Sequence, residues 1–295
     1  MTWTRKRILR TLAAIYVIGL VALGLIFGKS PKAQFDIQTE FKLTPWVTLG
    51  PLEIDRAVLY LFLSTIATIA TVMFVSRRMQ QRPNRVQTAV ETIYSLMRDN
   101  ITRGNLDNEM AAKWFPFIGT LFLFIWYCNM IGYLPLPTNS EESINVLGLS
   151  IPSFALYAAT ANVSVALVLS LVVFIAFNAE GFKKYGFRGY FKHLMPGGVG
   201  GRMMIMIAPL EIVSNFMRLI SLTVRLWANI LAGHMIILFM AGGMAVILGF
   251  TAVGWFTLPL GIAVFIFEVG LVATLQAFIF ATLSAIYLGG AVSDH

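Results

Sequence analysis

Arg225 stands in the apolar run Ser221-Leu-Thr-Val-Arg225-Leu-Trp-Ala-Asn229, where a guanidinium is costly. An arginine at the centre of a bilayer costs about 2.5–3.5 kcal/mol on insertion scales, so such residues face a bundle interior, a water path or an opposite charge. Three more ionisable residues share the apolar stretches of the C-terminal half: Glu211 and Arg218 on the same run, and Glu268 on the next. Steps of seven residues return to nearly the same face of an α-helix. Glu211, Arg218 and Arg225 therefore form one slowly drifting stripe, which Ser214, Asn215, Ser221 and Asn229 widen. Such a stripe either glues helices together or lines an ion pathway, and intramembrane charge usually marks a pathway.

His234 follows Arg225 by nine residues, which is half a turn round a helix and about 13 Å further along it. Alone, a histidine in an apolar helix is more often a packing residue than a proton carrier. A partner on the next run changes that balance. If the fifth and sixth runs form an antiparallel hairpin, one register brings Arg225 level with Gln276 and His234 level with Glu268. An imidazole beside a carboxylate can pass protons near neutral pH. Glu211 lies about 21 Å from Arg225 in one direction, and His234 and Glu268 lie in the other. That arrangement suits two offset half-channels separated by a fixed positive charge. Arginine fits the barrier because it stays protonated at any working pH and favours ionisation of a carboxylate brought close to it, whereas a desolvated lysine can lose its proton. The carboxylate that ferries protons past the barrier is not evident in this chain, which implies a partner.

These residues need helices in lipid to position them. Of the 295 residues, 58% are hydrophobic and 12% charged, and the mean hydropathy is +0.77, the composition of an integral membrane protein. A bilayer core of about 30 Å takes about 20 apolar residues per helix. The pattern predicts helices near 8–27, 57–76, 113–134, 155–178, 203–248 and 255–289, with an amphipathic surface helix near 86–103. The runs lack the alternation of barrel strands, so the expected fold class is all-α, with about six transmembrane helices. The fifth run, about 45 residues long, is too long for one upright crossing and is expected to be tilted, bent or broken. The expected division is an N-terminal anchor and external segment over 1–56, then a channel domain over 57–295.

The net charge of +8 does not point to nucleic acid, because of where the charge sits. Sixteen of the 22 basic residues fall on one side of the predicted membrane: before the first run, from Arg77 to Lys113, and from Lys183 to Arg202. The positive-inside rule then places both termini on the cytoplasmic or matrix side. The first run resembles a signal sequence in its Arg5-Lys6-Arg7 start, but its length and the absence of an Ala-x-Ala type site favour a retained span. Cys128 is the one cysteine, so neither an intramolecular disulfide nor a multi-cysteine metal cluster is available. The run Pro196-Gly-Gly-Val-Gly-Gly201 has no following Gly-Lys-Ser/Thr and reads as a flexible connection, not a phosphate loop.

From about residue 45 to the C-terminus the chain resembles the a subunit of F-type ATP synthase. The segment Ser221 to His234 is similar to that family's arginine segment, supported by Asn129-Met-Ile-Gly-Tyr-Leu-Pro135, Asn162-Val-Ser164, Leu275-Gln-Ala-Phe-Ile-Phe280 and Tyr287-Leu288. The resemblance implies that Arg225 is the essential arginine, Gln276 the glutamine facing it, and Glu211 the acid of the outlet half-channel. It further implies that Ser221 belongs to the half-channels and that Asn229, His234 and Glu268 serve the inlet, with Asn162, Ser214, Asn215 and Arg218 as accessory groups. It implies as partners a ring of c subunits, the b-subunit peripheral stalk, the soluble ATPase sector and the bilayer, with no cofactor, no metal and no catalysis by this chain alone. Thr160 stands where the family often has an aspartate, and Glu268 precedes Gln276 by eight residues where the family pattern has seven. A bacterial plasma membrane is the expected location, with the mitochondrial inner membrane as the alternative. The rival reading is a stand-alone ion-coupled transporter or channel. Against it, the chain shows neither repeated halves nor paired Gly/Pro-broken helices.

Overall fold

The computed structural model describes residues 45–49, 52–78, 85–146, 149–193, 202–240 and 251–293. The run at 8–27 lies outside them. A short hairpin, β1 (Pro45–Leu49) against β2 (Leu52–Asp55), leads directly into α1 (Arg56–Arg78). Asp55 starts that helix by accepting the Val58 N–H at 3.0 Å, which satisfies one of the free amides of the first turn. At 23 residues α1 is about 35 Å long, enough to cross the apolar core of a bilayer. Its hydroxyls do not need water, because Ser64, Thr65, Thr68 and Thr71 each donate to the carbonyl four residues back.

The amphipathic segment forms α2 (Arg85–Ser95), a π-helical turn (Leu96–Thr102) and a last helical turn (Arg103–Asn105). Met97, Ile101 and Leu106 on its inner face are buried. Helix α3 (Asn108–Gly132) follows, then a second hairpin, β3 (Leu136–Val146) with β4 (Leu149–Ala155). The described spans are all helical, as expected, and among the described residues strands occur only in two hairpins, one before α1 and one between α3 and α4.

The fourth run differs from its expected bounds of 155–178. A 3-10 turn (Ala159–Ala161) comes first, and α4 begins at Val163 and runs to His193. Asn162 sets that start: its backbone is extended, and its Oδ1 accepts the Ser164 N–H at 2.9 Å. Gly186 then breaks the helix direction with φ +70°, a conformation open to glycine at little cost. Helix α5 (Arg202–Leu238) continues through Pro209 for 37 residues, about 55 Å, so it exceeds the bilayer core as the length of its run required. Helix α6 (Thr251–Phe267), a π-helical turn (Glu268–Val272) and α7 (Ala273–Val292) complete the chain. Five described stretches are long and apolar enough to cross a membrane: 56–77, 108–132, 163–186, 209–238 and 257–292.

The described residues fall into two compact units, one of residues 45–231 with 272–293, the other within 232–271. In the first, Thr71 and Tyr127 share a hydroxyl hydrogen bond at 2.5 Å and Tyr60 Oη donates to Leu134 O at 3.4 Å, so α1 and α3 run antiparallel. Helix α7 is antiparallel to α3, since Asn129 meets Ala273 at one end and Gly289 meets Asn105 at the other. It is parallel to α4, with Phe177 against Tyr287 and Lys184 Nζ donating to Val292 O at 2.6 Å. Helix α5 lies on α4 through Phe174 and Phe216, 5.4 Å apart, and through Asn178 and Asn215. The core of this unit combines Ile118, Phe122 and Ile125 of α3 with Val173 and Phe177 of α4, Leu222, Leu226 and Ile230 of α5, and Phe280 and Leu288 of α7. Long exposed apolar bands remain, for example Phe62, Ile66 and Ile69 of α1, as lipid contact requires.

Close approach at Gly132 sets the turn between α3 and α4. A Cβ there would fall 2.5 Å from both Cα and Cβ of Ala158, which is fully buried. Backbone must move to admit it, so Gly132→Val is expected to destabilise by about 1–3 kcal/mol. Thermal unfolding in detergent should show a lower midpoint than Gly119→Ala, whose Cβ would meet only the Phe115 ring at 3.9 Å.

Candidate functional site

Helix α5 carries Glu211, Arg218 and Arg225 at the seven-residue spacing that keeps them near one face. Arg225 is half-buried beside Leu222 and Leu226, which are 2% and 1% exposed. Among the described residues its guanidinium has neither a hydrogen bond nor an ion pair. Glu211 is likewise half-buried without such a partner among them. Arg218 differs: its guanidinium lies over the Tyr287 ring, 5.4 Å from the centroid, within cation–π range. Ser214, Ser221 and Asn229 are exposed.

The Arg218 contact fixes a level between α5 and α7. Helix α4 is antiparallel to α5 and parallel to α7, so α5 and α7 run antiparallel. Seven residues beyond Arg218, Arg225 comes level with about Phe280, one helical turn from Gln276. Gln276 is 6% exposed, in the turn that follows the contacts of α7 with α3. Those contacts are polar: Trp126 Nε1 donates to Thr274 Oγ1 at 3.2 Å and Asn129 Nδ2 to Ala273 O at 3.1 Å.

Thr160 extends that link. Its hydroxyl donates to Asn129 Oδ1 at 2.6 Å, so a buried chain runs from the head of α4 through α3 to the first residue of α7. Both Thr160 and Asn129 are fully buried. The threonine that departs from the family pattern therefore supplies a neutral donor in that place.

In the second unit His234 is 1% and Glu268 7% exposed. A Cβ on Gly233 would fall 2.5 Å from Glu268 Cδ and 2.8 Å from its Oε1, so the carboxylate occupies the space that a side chain at 233 would fill. The same packing recurs further along, where a Cβ on Gly261 would meet Met240 Cβ at 3.5 Å. Glu268 opens the π-helical turn before α7. A π turn closes each hydrogen-bonded ring with one residue more than an α turn, so Glu268 starts a locally wider stretch ahead of Gln276.

The remaining accessory residues are used locally. Asn162 caps α4. Asn215 Nδ2 donates at 3.0 Å to Asn178 Oδ1, which also accepts from Tyr190 Oη at 2.9 Å. Asn129, Asn178 and Gly233 are the site-adjacent residues that pattern reading did not single out for a role. Asn129 and Asn178 each carried a signal, being amides inside apolar runs; Gly233 carried none, because its role lies in a contact with a distant segment.

The buried link yields a stability test. Asn129→Leu leaves the Thr160 hydroxyl without its acceptor and is expected to cost about 1–3 kcal/mol. Adding Thr160→Val removes the orphaned donor and should recover part of that loss, a non-additivity measured by thermal unfolding of the single and double variants.

The ATP synthase A chain family model matches residues 58–289. The chain is 30% identical over 268 residues to ATP synthase subunit a of Pelagibacter ubique, covering 90% of this chain and 98% of that protein. It is 33% identical over 270 residues to ATP synthase subunit a of Ehrlichia canis, covering 90% and 99%. It is 32% identical over 261 residues to ATP synthase subunit a of Rhodopseudomonas palustris, covering 86% and 96%.

Proposed function

The chain belongs to the ATP synthase A chain family, and on that premise we propose that Arg225 is the fixed positive charge separating two proton half-channels. The observation that carries this reading is the half-buried guanidinium on an apolar helix with no partner among the described residues. Desolvated charge demands a counter-charge, and a carboxylate supplied by a ring of c subunits moving past α5 would answer that demand. Close to Arg225 that carboxylate is held ionised, so it releases its proton on one side of the arginine and takes up another on the other side. The guanidinium keeps its own proton throughout and blocks direct passage.

Glu211 serves the half-channel on the basic side of the chain, with Ser214 and Ser221 as polar neighbours. His234 and Glu268, with Asn229, serve the opposite half-channel, where imidazole and carboxylate exchange protons near neutral pH. Gln276, one helical turn from the level of Arg225, is the polar group that α7 offers on the arginine's side of the path. Residues 57–295 form the conducting domain and 1–56 an anchor and external segment, a division supported by the extent of the family match. Further partners are the b-subunit stalk and, through the complex, the soluble ATPase sector. The chain is a multi-pass membrane protein, and we place it in a bacterial plasma membrane with both termini on the cytoplasmic side. The bacterial sources of its relatives support that location. The basic residues Lys113 and Lys184 at the C-terminal end of α7 support the orientation.

Two variants test the reading in inverted membrane vesicles. Arg225→Ala should abolish ATP-driven proton pumping while the complex still assembles; normal pumping would make Arg225 structural and overturn the barrier. Gly233→Ala should assemble normally, because the atoms in its way are the movable end of Glu268. Its displaced carboxylate should lower the pumping rate by about tenfold, the scale expected when a reacting group is shifted by a fraction of an ångström to one ångström.

A further inference from the structure

Beyond the proton path, the first unit contains a cavity of about 370 Å³ between α4 and α5, walled by Phe174, Ile175, Ala179, Phe182, Ile212 and Phe216. It opens sideways: Ile175 is 58% and Phe216 52% exposed. Phe216 precedes Arg225 by nine residues, half a turn round α5, so the Phe216 wall of the cavity lies on the side of that helix away from Arg225, while Asn215 at its polar end borders the stripe.

We infer that this cavity is a binding site for one acyl chain of an anionic phospholipid from the leaflet on the basic side. The wall is aliphatic and aromatic, and its volume lies at the lower end of the roughly 300–1,000 Å³ range of small-molecule sites. A flexible hydrocarbon chain suits this apolar, sideways-open space.

Polar groups define the end of the site near the membrane boundary. After the Gly186 break, Tyr190 folds back onto Phe182, with ring centroids 4.6 Å apart, and donates to Asn178. Asn178 Nδ2 donates to Phe174 O at 2.7 Å, which fixes its amide orientation. Asn215 must then donate to Asn178, which leaves Asn215 Oδ1 buried with no donor among the described residues. A headgroup bearing hydroxyls can supply one. Lys183 provides the charge: it is exposed and four residues after Ala179, so it stands on the same side of α4 at the end of the span. An ammonium at that depth attracts the anionic headgroups of the basic-side leaflet.

The test uses the intact complex reconstituted in vesicles with phosphatidylglycerol carrying a photoreactive group on one acyl chain, and separately with the same chain on phosphatidylcholine. Labelling is expected to concentrate on residues 174–182 and 212–216, several-fold stronger with phosphatidylglycerol. Lys183→Gln should bring the phosphatidylglycerol signal down to the phosphatidylcholine level. Ala179→Trp, which fills the cavity from an exposed position, should abolish labelling there with either lipid. Labelling spread evenly over exposed faces such as Phe62 and Ile66, or unchanged by both variants, would overturn the site, as would no labelling of the cavity in the complex. Lipid labelling is read independently of pumping, so its failure leaves the proposed function standing, and the reverse.

Discussion

A guanidinium held in an apolar helix, with no counter-charge among the described residues, is the constraint on which the rest of this chain turns. Burying charge without a partner costs several kcal/mol even after local relaxation, so the helix that carries it cannot be justified by its own chain. The surroundings of Arg225 are consistent with a charge kept available. Leu222, Leu226 and Ile230 tie α5 into the core through the ridge that flanks Arg225 on one side, while Val224 on the other side, 46% exposed, faces outward. Arg218, one heptad earlier, is spent on the Tyr287 ring and helps set the level of α7. Two arginines on one stripe thus differ in surroundings: one lies over an aromatic ring, and the other, in the proposed function, meets a partner's carboxylate.

Holding that stripe in place favours polar groups in the apolar layer that are satisfied without water. The chain achieves this for most of its hydroxyls with short-range devices. Hydroxyls along α1 bond to the preceding turn, and Ser170, Thr223, Thr282 and Ser284 do the same on the other spans. Only a few polar contacts cross between helices, among them the Thr160–Asn129–Ala273 link and the Tyr190–Asn178–Asn215 cluster. Each joins helices whose sequence separation is large, so each fixes a relative position that apolar packing alone leaves free to slide.

Much of the architecture was legible in the sequence because lipid imposes few choices. Apolar runs of sufficient length had to be helices, and five of the six expected spans are helical near their expected positions, the run at 8–27 lying outside the described residues. The exceptions share a cause. The fourth run was placed too early because residues 155–162 are as apolar as a helix, while the actual start depends on one amide, Asn162, capping Ser164. The two hairpins escaped notice because they lie outside the apolar layer, where backbone pairing is not dictated by hydropathy. The π turn at Glu268 leaves no mark in residue type or period. Within the site, the spacing of Glu211, Arg218 and Arg225 and the closeness of Glu268 to the helix of His234 follow from helical arithmetic. Gly233 does not, since a glycine's value there exists only once a carboxylate from a distant segment fills its place.

Thr160 shows how a departure in residue type need not remove a connection. At a fully buried position an aspartate brings a charge that must be paired, or a proton whose presence depends on pH. Threonine supplies one donor to Asn129 Oδ1 with neither consequence. The amide then passes the link on to Ala273, immediately before the turn that holds Gln276. A neutral chain of this kind keeps its strength across the whole physiological pH range, because none of its members titrates there. In the proposed pathway, the groups whose protonation changes are then confined to Glu211, His234, Glu268 and the partner's carboxylate, and the scaffold that holds Gln276, one helical turn from the level of Arg225, does not loosen as those groups gain and lose protons.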